Sequence, residues 1–248
     1  KDLKIIKKYL TTSDGIKISS WYMPVKSPKA VVILVHGYRK TNADKTRMLA
    51  HAEYLKKAGY STILIDLRSF GESEGNKVTF GVNEWKDIKA VYDYAKSLPE
   101  NKDKKIGFYG RSMGAVASII AKGISGKGDF IIASTPFSSF KSLFKYQIQK
   151  PGLNPNIFLL PLRFVALFEF GYNYERFSPI NMIKNIKVPI LIMSAAQDEI
   201  INPKDAKHLF KKANPPREYW ETDTTHRMFK NNPAEFKKKV LEFLSKHI

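Results

Sequence analysis

Short, unbroken aliphatic runs recur along the chain, each followed by a longer stretch whose apolar positions repeat every three or four residues. The run Val31-Val32-Ile33-Leu34-Val35 has no polar position, as a strand covered on both faces requires. The same pattern predicts strands over residues 61–66, 105–109, 130–134, 188–194 and 217–220. Residues 16–23 alternate apolar and polar in the manner of an antiparallel strand. Helical periodicity covers 43–58, ended by Gly59, then 83–97, followed by Pro99, and then 113–122. Helices over 203–212 and 233–247 each open on a proline, which suits the first helical position. Strand–helix alternation at this spacing predicts an α/β fold: a mostly parallel central sheet with helices on both faces.

Residues 137–178 break the rhythm. This stretch is aromatic-rich and punctuated by prolines, and it separates two strands that would otherwise follow closely. Long insertions of this kind serve as lids or added caps. The expected organisation is therefore one domain over 1–248, with 137–178 as a short lid or cap insertion.

Composition narrows the chemistry. The 248 residues contain no cysteine, which excludes disulfides, thiolate metal sites and a cysteine nucleophile. Lys plus Arg number 42 against 23 Asp plus Glu, a formal charge of +19. Only eight of the 42 are arginines, leaving 34 lysines scattered along the chain. Nucleic-acid binders favour arginine, which grips phosphates with two donors, and no nucleic-acid motif is present. The lysines read as a solvated surface, with a peripheral contact to an anionic membrane left open. No apolar run reaches the roughly 18 residues of a membrane span. A cytoplasmic location is expected, with an anchored or exported form as the alternative if a segment preceded Lys1. The sequence does not indicate an oligomeric state.

Gly110-Arg111-Ser112-Met113-Gly114 fits G-x-S-x-G, between a predicted strand and a predicted helix. That context turns a weak pattern into a candidate nucleophile elbow, with Ser112 Oγ held above the sheet. A serine hydroxyl needs a base. Of five histidines, His51 and His208 fall inside predicted helices, His247 is next to last, and His36 ends a buried strand. His226 lies in the loop after the last predicted strand and is the candidate base. Asp198, in the loop after strand 188–194, is the candidate partner for His226, with Glu199 and Asp223 as rivals. The backbone N–H of Met113 and that of Tyr38, after His36-Gly37, are candidate oxyanion donors. His36 then has a structural part in holding that loop. Arg39, Lys40 and Arg111 bias the entrance toward anionic substrates or simply belong to the basic surface.

These residues resemble the α/β-hydrolase superfamily over nearly the whole chain. The resemblance rests on His36-Gly37-Tyr38, the elbow, the segments leading to Asp198 and His226, and Asp66-Leu67-Arg68-Ser69-Phe70-Gly71-Glu72-Ser73. The last looks like D-x-R-G-x-G-x-S, with Ser69 in place of the first glycine. Within the superfamily the chain resembles bacterial serine aminopeptidase and monoglyceride-lipase-like members, and acyl-protein-thioesterase-like ones. The resemblance implies Ser112, Asp198 and His226 as a triad, Tyr38 and Met113 as oxyanion donors, and no metal or organic cofactor. It implies hydrolysis of small-molecule acyl esters or thioesters through an acyl-enzyme. Aminopeptidase or acyltransferase action on the same residues is the alternative, as is a non-catalytic module binding lipid or a partner.

Overall fold

The computed structural model describes residues 4–39, 44–149 and 174–248. Its centre is an eight-stranded sheet in the order β1-β2-β4-β3-β5-β6-β7-β8. The strands are β1 (Ile6–Thr11), β2 (Lys17–Met23), β3 (Val31–Val35), β4 (Ser61–Ile65), β5 (Ile106–Arg111), β6 (Ile131–Ser134), β7 (Ile190–Ala195) and β8 (Arg217–Thr222). Only β2 runs against the others, since every pairing from β4 through β8 is parallel. This is the mostly parallel α/β sheet that the alternation of strand and helix predicts, in keeping with the fold that the resemblance implies.

The aliphatic runs occupy the middle of the sheet because both of its faces are covered. Val31, Ile33 and Val35 pack on one side, with α2 (Glu84–Ser97), α3 (Met113–Ser125) and α6 (Pro203–Lys212). Val32 and Leu34 pack on the other, with α1 (Leu49–Lys57) and α8 (Pro233–His247). Between these fall the shorter α4 (Phe140–Gln147), α5 (Pro179–Met182) and α7 (Met228–Asn231).

Three local differences from the sequence pattern have simple causes. β1 was not predicted: it is an edge strand, mostly exposed, and pairs only with β2 through the register Ile6↔Tyr22 to Thr11↔Lys17. Its Lys7-Lys8 pair breaks the apolar signal and at the same time discourages pairing with another chain. The helix expected over 43–58 opens as a 3₁₀ turn, Lys45–Met48, where the Asp44 side chain accepts from the Thr46 N–H. β5 runs two residues further than predicted, to Arg111, which brings the strand directly up to Ser112. Of the insertion expected over 137–178, residues 150–173 lie outside the described residues, as do Lys40 and its neighbours 41–43.

Strands that run the same way send their outgoing loops to one edge of the sheet. Tyr38, Ser112, Asp198 and His226 follow β3, β5, β7 and β8 respectively, so all four lie along the carboxyl edge. β3 is followed by β4 on one side, and β5 by β6 on the other. Their outgoing loops therefore diverge, leaving a crevice between them where ligands bind in open α/β sheets.

Candidate active site

The crevice is a cavity of about 650 Å³ whose lining includes His36, Gly37, Tyr38, Ser112, Met113 and His226. Ser112 stands between the end of β5 and the start of α3 with φ 53° and ψ −121°. A side chain held there costs of order 1–3 kcal/mol, and surrounding structure has to impose it. Here the Ser112 N–H donates to Ser134 O at 2.8 Å, and its carbonyl accepts from the Ala115 N–H at 2.9 Å and the Val116 N–H at 3.1 Å. The flanking glycines are required by close approach. A Cβ on Gly110 would run into the backbone of Gly114 and Ala115, and one on Gly114 into the carbonyls of Val35 and His36.

His226 and Asp198 are both buried, 7% and 4% exposed. They are joined by a 2.7 Å hydrogen bond from His226 Nδ1 to Asp198 Oδ2. The other carboxylate oxygen of Asp198 accepts from the N–H groups of Ile200 and Ile201, both at 2.8 Å, which fixes the plane of the group. Of the rivals, Glu199 accepts from the backbone N–H of His226 at 3.3 Å, and Asp223 accepts from Gln197 Nε2 at 2.8 Å. Nδ1 is thus committed to Asp198, and Nε2 remains as the ring nitrogen able to take a proton. Among the described residues no hydrogen bond joins Ser112 to His226, although both line the cavity. Hydrogen bonds of this kind are often long before substrate arrives.

The backbone N–H groups of Tyr38 and Met113 have no partner among the described residues. Met113 opens α3, where the N–H groups of the first turn are free and the helix dipole favours negative charge. The Tyr38 loop is held by His36, which is fully buried. The Leu67 N–H donates to His36 Nε2 at 3.1 Å, leaving Nδ1–H to donate to Gly37 O at 3.0 Å. Burial lowers the pKa of this ring and keeps it neutral, the form that both bonds need.

The D-x-R-S-x-G-x-S segment proves to be a brace beside the site. Asp66 is buried and accepts from Lys45 Nζ at 2.5 Å, the Lys45 N–H at 2.6 Å and the Glu72 N–H at 2.9 Å. Ser69 takes the positive φ, 67°, that a glycine would take more easily, and its hydroxyl donates to Lys77 O at 2.9 Å.

Several lining residues are not among the sequence's site candidates. Arg47 and Arg227 reach the cavity from the turn before α1 and from the residue after His226. Phe80, Phe137, Leu143 and Ile201 form an apolar wall. On α4, Tyr146 donates its hydroxyl to Asp198 O at 2.7 Å and Gln147 Nε2 donates to Ile200 O at 2.6 Å, tying the root of the insertion to the loop of the carboxylate. Among the described residues, no cluster of metal-ligating side chains is present, and no helix is long and apolar enough to cross a membrane.

The sequence model of the family described as serine aminopeptidase, S33, matches residues 26–149, half of the chain. Among curated proteins, YqkD of Bacillus subtilis is 26% identical over 235 residues, spanning 93% of this chain and 76% of its own. Among solved structures, the esterase Pf2001 of Pyrococcus furiosus superposes with a TM-score of 0.79 at 26% identity, covering 99% of this chain and 93% of its own. Est1E of Butyrivibrio proteoclasticus, solved with ferulic acid, gives a TM-score of 0.75 at 18% identity over 97% of this chain and 98% of its own, a likeness of fold.

Proposed function

The chain belongs to the serine aminopeptidase, S33, family of the α/β-hydrolase superfamily, and on that premise we propose that it is a serine hydrolase that cleaves carboxylic esters or thioesters through an acyl-enzyme. The observation that carries this reading is one of geometry: a serine on a strained strand-to-helix turn shares a cavity with a histidine already bonded to a buried carboxylate. In this reading Ser112 Oγ attacks the acyl carbonyl carbon while His226 Nε2 takes the hydroxyl proton. Asp198 accepts from Nδ1–H, holds the ring in place and stabilises the imidazolium. The electron pair displaced from the carbonyl forms an oxyanion, which accepts from the N–H groups of Tyr38 and Met113. Collapse of that intermediate breaks the bond to the alcohol or thiol, which leaves with the proton from His226. Water then attacks the acyl-serine, giving its proton to His226, and the acid departs as Ser112 regains its hydrogen.

The apolar wall of Phe80, Phe137, Leu143 and Ile201 supports a short or medium acyl chain at this site. Ester cleavage fits better than aminopeptidase action. A peptide amino terminus carries a positive charge, and among the described residues the cavity lining offers it Arg39, Arg47, Arg111, Arg227 and Lys230 against the single carboxylate of Glu199. The test is turnover of 4-nitrophenyl butyrate by wild type and Ser112→Ala. The expected loss is about three to six orders of magnitude, the range for removal of an activated nucleophile. Equal rates, or equal labelling of both proteins by a fluorophosphonate, would overturn the reading.

A further inference from the structure

The side chains at the mouth of the cavity contain an imbalance that the hydrolytic mechanism does not use. Arg47, Arg111 and Arg227 line it from three separate segments. None of the three guanidinium groups has an ion pair or hydrogen bond among the described residues. Arg68, by contrast, leaves the same edge of the sheet with Asp87 and Asp14 within 2.7–3.1 Å. Arg111 is partly buried, and its ionisation is depressed by that burial and then by the positive charges of Arg47 and Arg227. Arg47 is depressed by burial and then by Arg39; the Asp44 carboxylate acts against this, and Arg227 adds to it. Arginine does not discharge to escape such a position. Among the described residues Glu199 is the one carboxylate in the lining, and Asp198, whose charge partly offsets that around Arg111, is already bonded to His226. Cations drawn together without a counter-charge cost stability unless an anion joins them, and the planar fork of arginine matches a carboxylate or phosphate with two donors.

We propose that Arg47, Arg111 and Arg227 form an oxyanion-recognition subsite, and that the preferred ester carries a carboxylate or phosphate group as well as its scissile bond. This rests on the hydrolase reading and adds the charge class of the substrate to it. The three residues have a specificity role and take no part in moving the proton.

Two matched pairs of substrates test it. 4-Nitrophenyl valerate and the mono-4-nitrophenyl ester of glutaric acid differ by a carboxylate on the acyl side. 1-Octanoylglycerol and its 3-phosphate differ by a phosphate on the alcohol side, with fatty-acid release as the readout. The anionic member of at least one pair should have the higher kcat/KM, by about tenfold, the effect of one charge-assisted hydrogen bond. Arg47→Gln and Arg111→Gln should each bring that ratio close to one, chiefly through KM. Lys238→Gln, on the exposed face of α8, should leave the ratio unchanged. A gain confined to the first pair assigns the anion to a carboxylate, and one confined to the second assigns it to a phosphate. Competitive inhibition by inorganic phosphate, weakened in Arg47→Gln, would show that the anion binds by itself. Ser112-dependent hydrolysis with no anionic preference in either pair overturns the subsite and leaves the hydrolase standing. A preference that survives both arginine variants, or that falls equally in Lys238→Gln, overturns it as well. Absence of Ser112-dependent turnover for all four esters removes the hydrolase reading on which it rests. If Arg111→Gln does not fold, Arg47→Gln, in the turn before α1, decides the question.

Discussion

Arg68, three residues past β4, and Arg111, the last residue of β5, leave the carboxyl edge of one sheet beside the two neighbours of β3, yet they are treated in opposite ways. Arg68 is 6% exposed and surrounded by acceptors: Asp87 takes its Nε and Nη2 at 2.9 and 2.7 Å, and Asp14 takes Nη1 at 2.8 Å. The Asp87 carboxylate is fully buried and also accepts from the Arg68 N–H at 2.9 Å, so backbone and side chain are held together. Arg111 has no such partner among the described residues and faces the cavity beside Ser112. The contrast separates charge that braces a loop from charge left available to a ligand. The two arginines look equivalent in sequence, and only the acids that the fold brings to them differ.

The largest effect that could break this comparison is on stability. Arg68→Gln strips a buried carboxylate of its counter-charge, and removing one partner of such a pair costs about 3–5 kcal/mol. That is a large share of the roughly 5–15 kcal/mol by which a domain is stable. Arg111→Gln removes a charge that, among the described residues, has no partner to strand, so its cost should stay under about 1 kcal/mol, within the range of changes that touch no network. Urea unfolding of both variants checks this. If Arg111→Gln proves as costly as Arg68→Gln, Arg111 is structural and the comparison fails.

How far this could be read in advance depends on sequence distance. Each strand of the buried centre is a local signal, and so is the elbow, because five consecutive residues carry it. The β1 edge was not legible, since Ile6 and Leu10 are its only partly buried positions and neither strand face is covered throughout. Ser112, Asp198 and His226 could be named as candidates from their places after three strands, but the sequence left Glu199 and Asp223 as rivals to Asp198. The choice turns on which carboxylate the chain aims at Nδ1, and Glu199 is aimed instead at the backbone N–H of its neighbour across the loop. Arg111 and Arg39 drew attention by adjacency to the motifs. Arg47 and Arg227 did not, because a cation in a helix's first turn or beside a loop histidine reads as surface in a chain with 42 basic residues. Their convergence is a property of the fold alone.

A smaller effect sharpens the same distinction with a group that can discharge. His51 is buried against Tyr54, Tyr109, Phe229 and Phe236, with Nδ1 2.9 Å from Tyr109 Oη. Burial lowers its pKa from 6.5 to about 3, and the charges of Arg111 and Lys237 act in the same direction. Where Arg111 must stay charged, His51 answers the same pressure by staying neutral. The unfolded chain protonates this ring below pH 6.5 and the folded chain does not until about pH 3. Stability should therefore fall as pH drops through that window, by up to about 1.4 kcal/mol per pH unit for this one group. His36, also lowered by burial, adds in the same direction. Urea unfolding between pH 7 and pH 4 should show this slope in wild type and a shallower one in His51→Gln. An unchanged slope would mean that the ring accepts its proton within the folded state.

The smallest effect belongs to the lysines. Lys89 and Asp93 form an ion pair at 2.6 Å, four residues apart on α2, with side chains 35% and 45% exposed. Solvent and salt screen such a pair, so Lys89→Gln should change stability by less than about 0.5 kcal/mol. A long side chain that water already serves gives up little when its charge is removed. Arg68 differs because its partner is sealed from water, and Arg111 because no acid pairs with it among the described residues. The formal charge of +19 is then mostly a property of the surface, with Lys45, buried against Asp66, an exception among the 34 lysines. If Lys89→Gln destabilised the protein by several kcal/mol, charge on this fold would act collectively. The difference between Arg68 and Arg111 could then no longer be assigned to the acids beside each one.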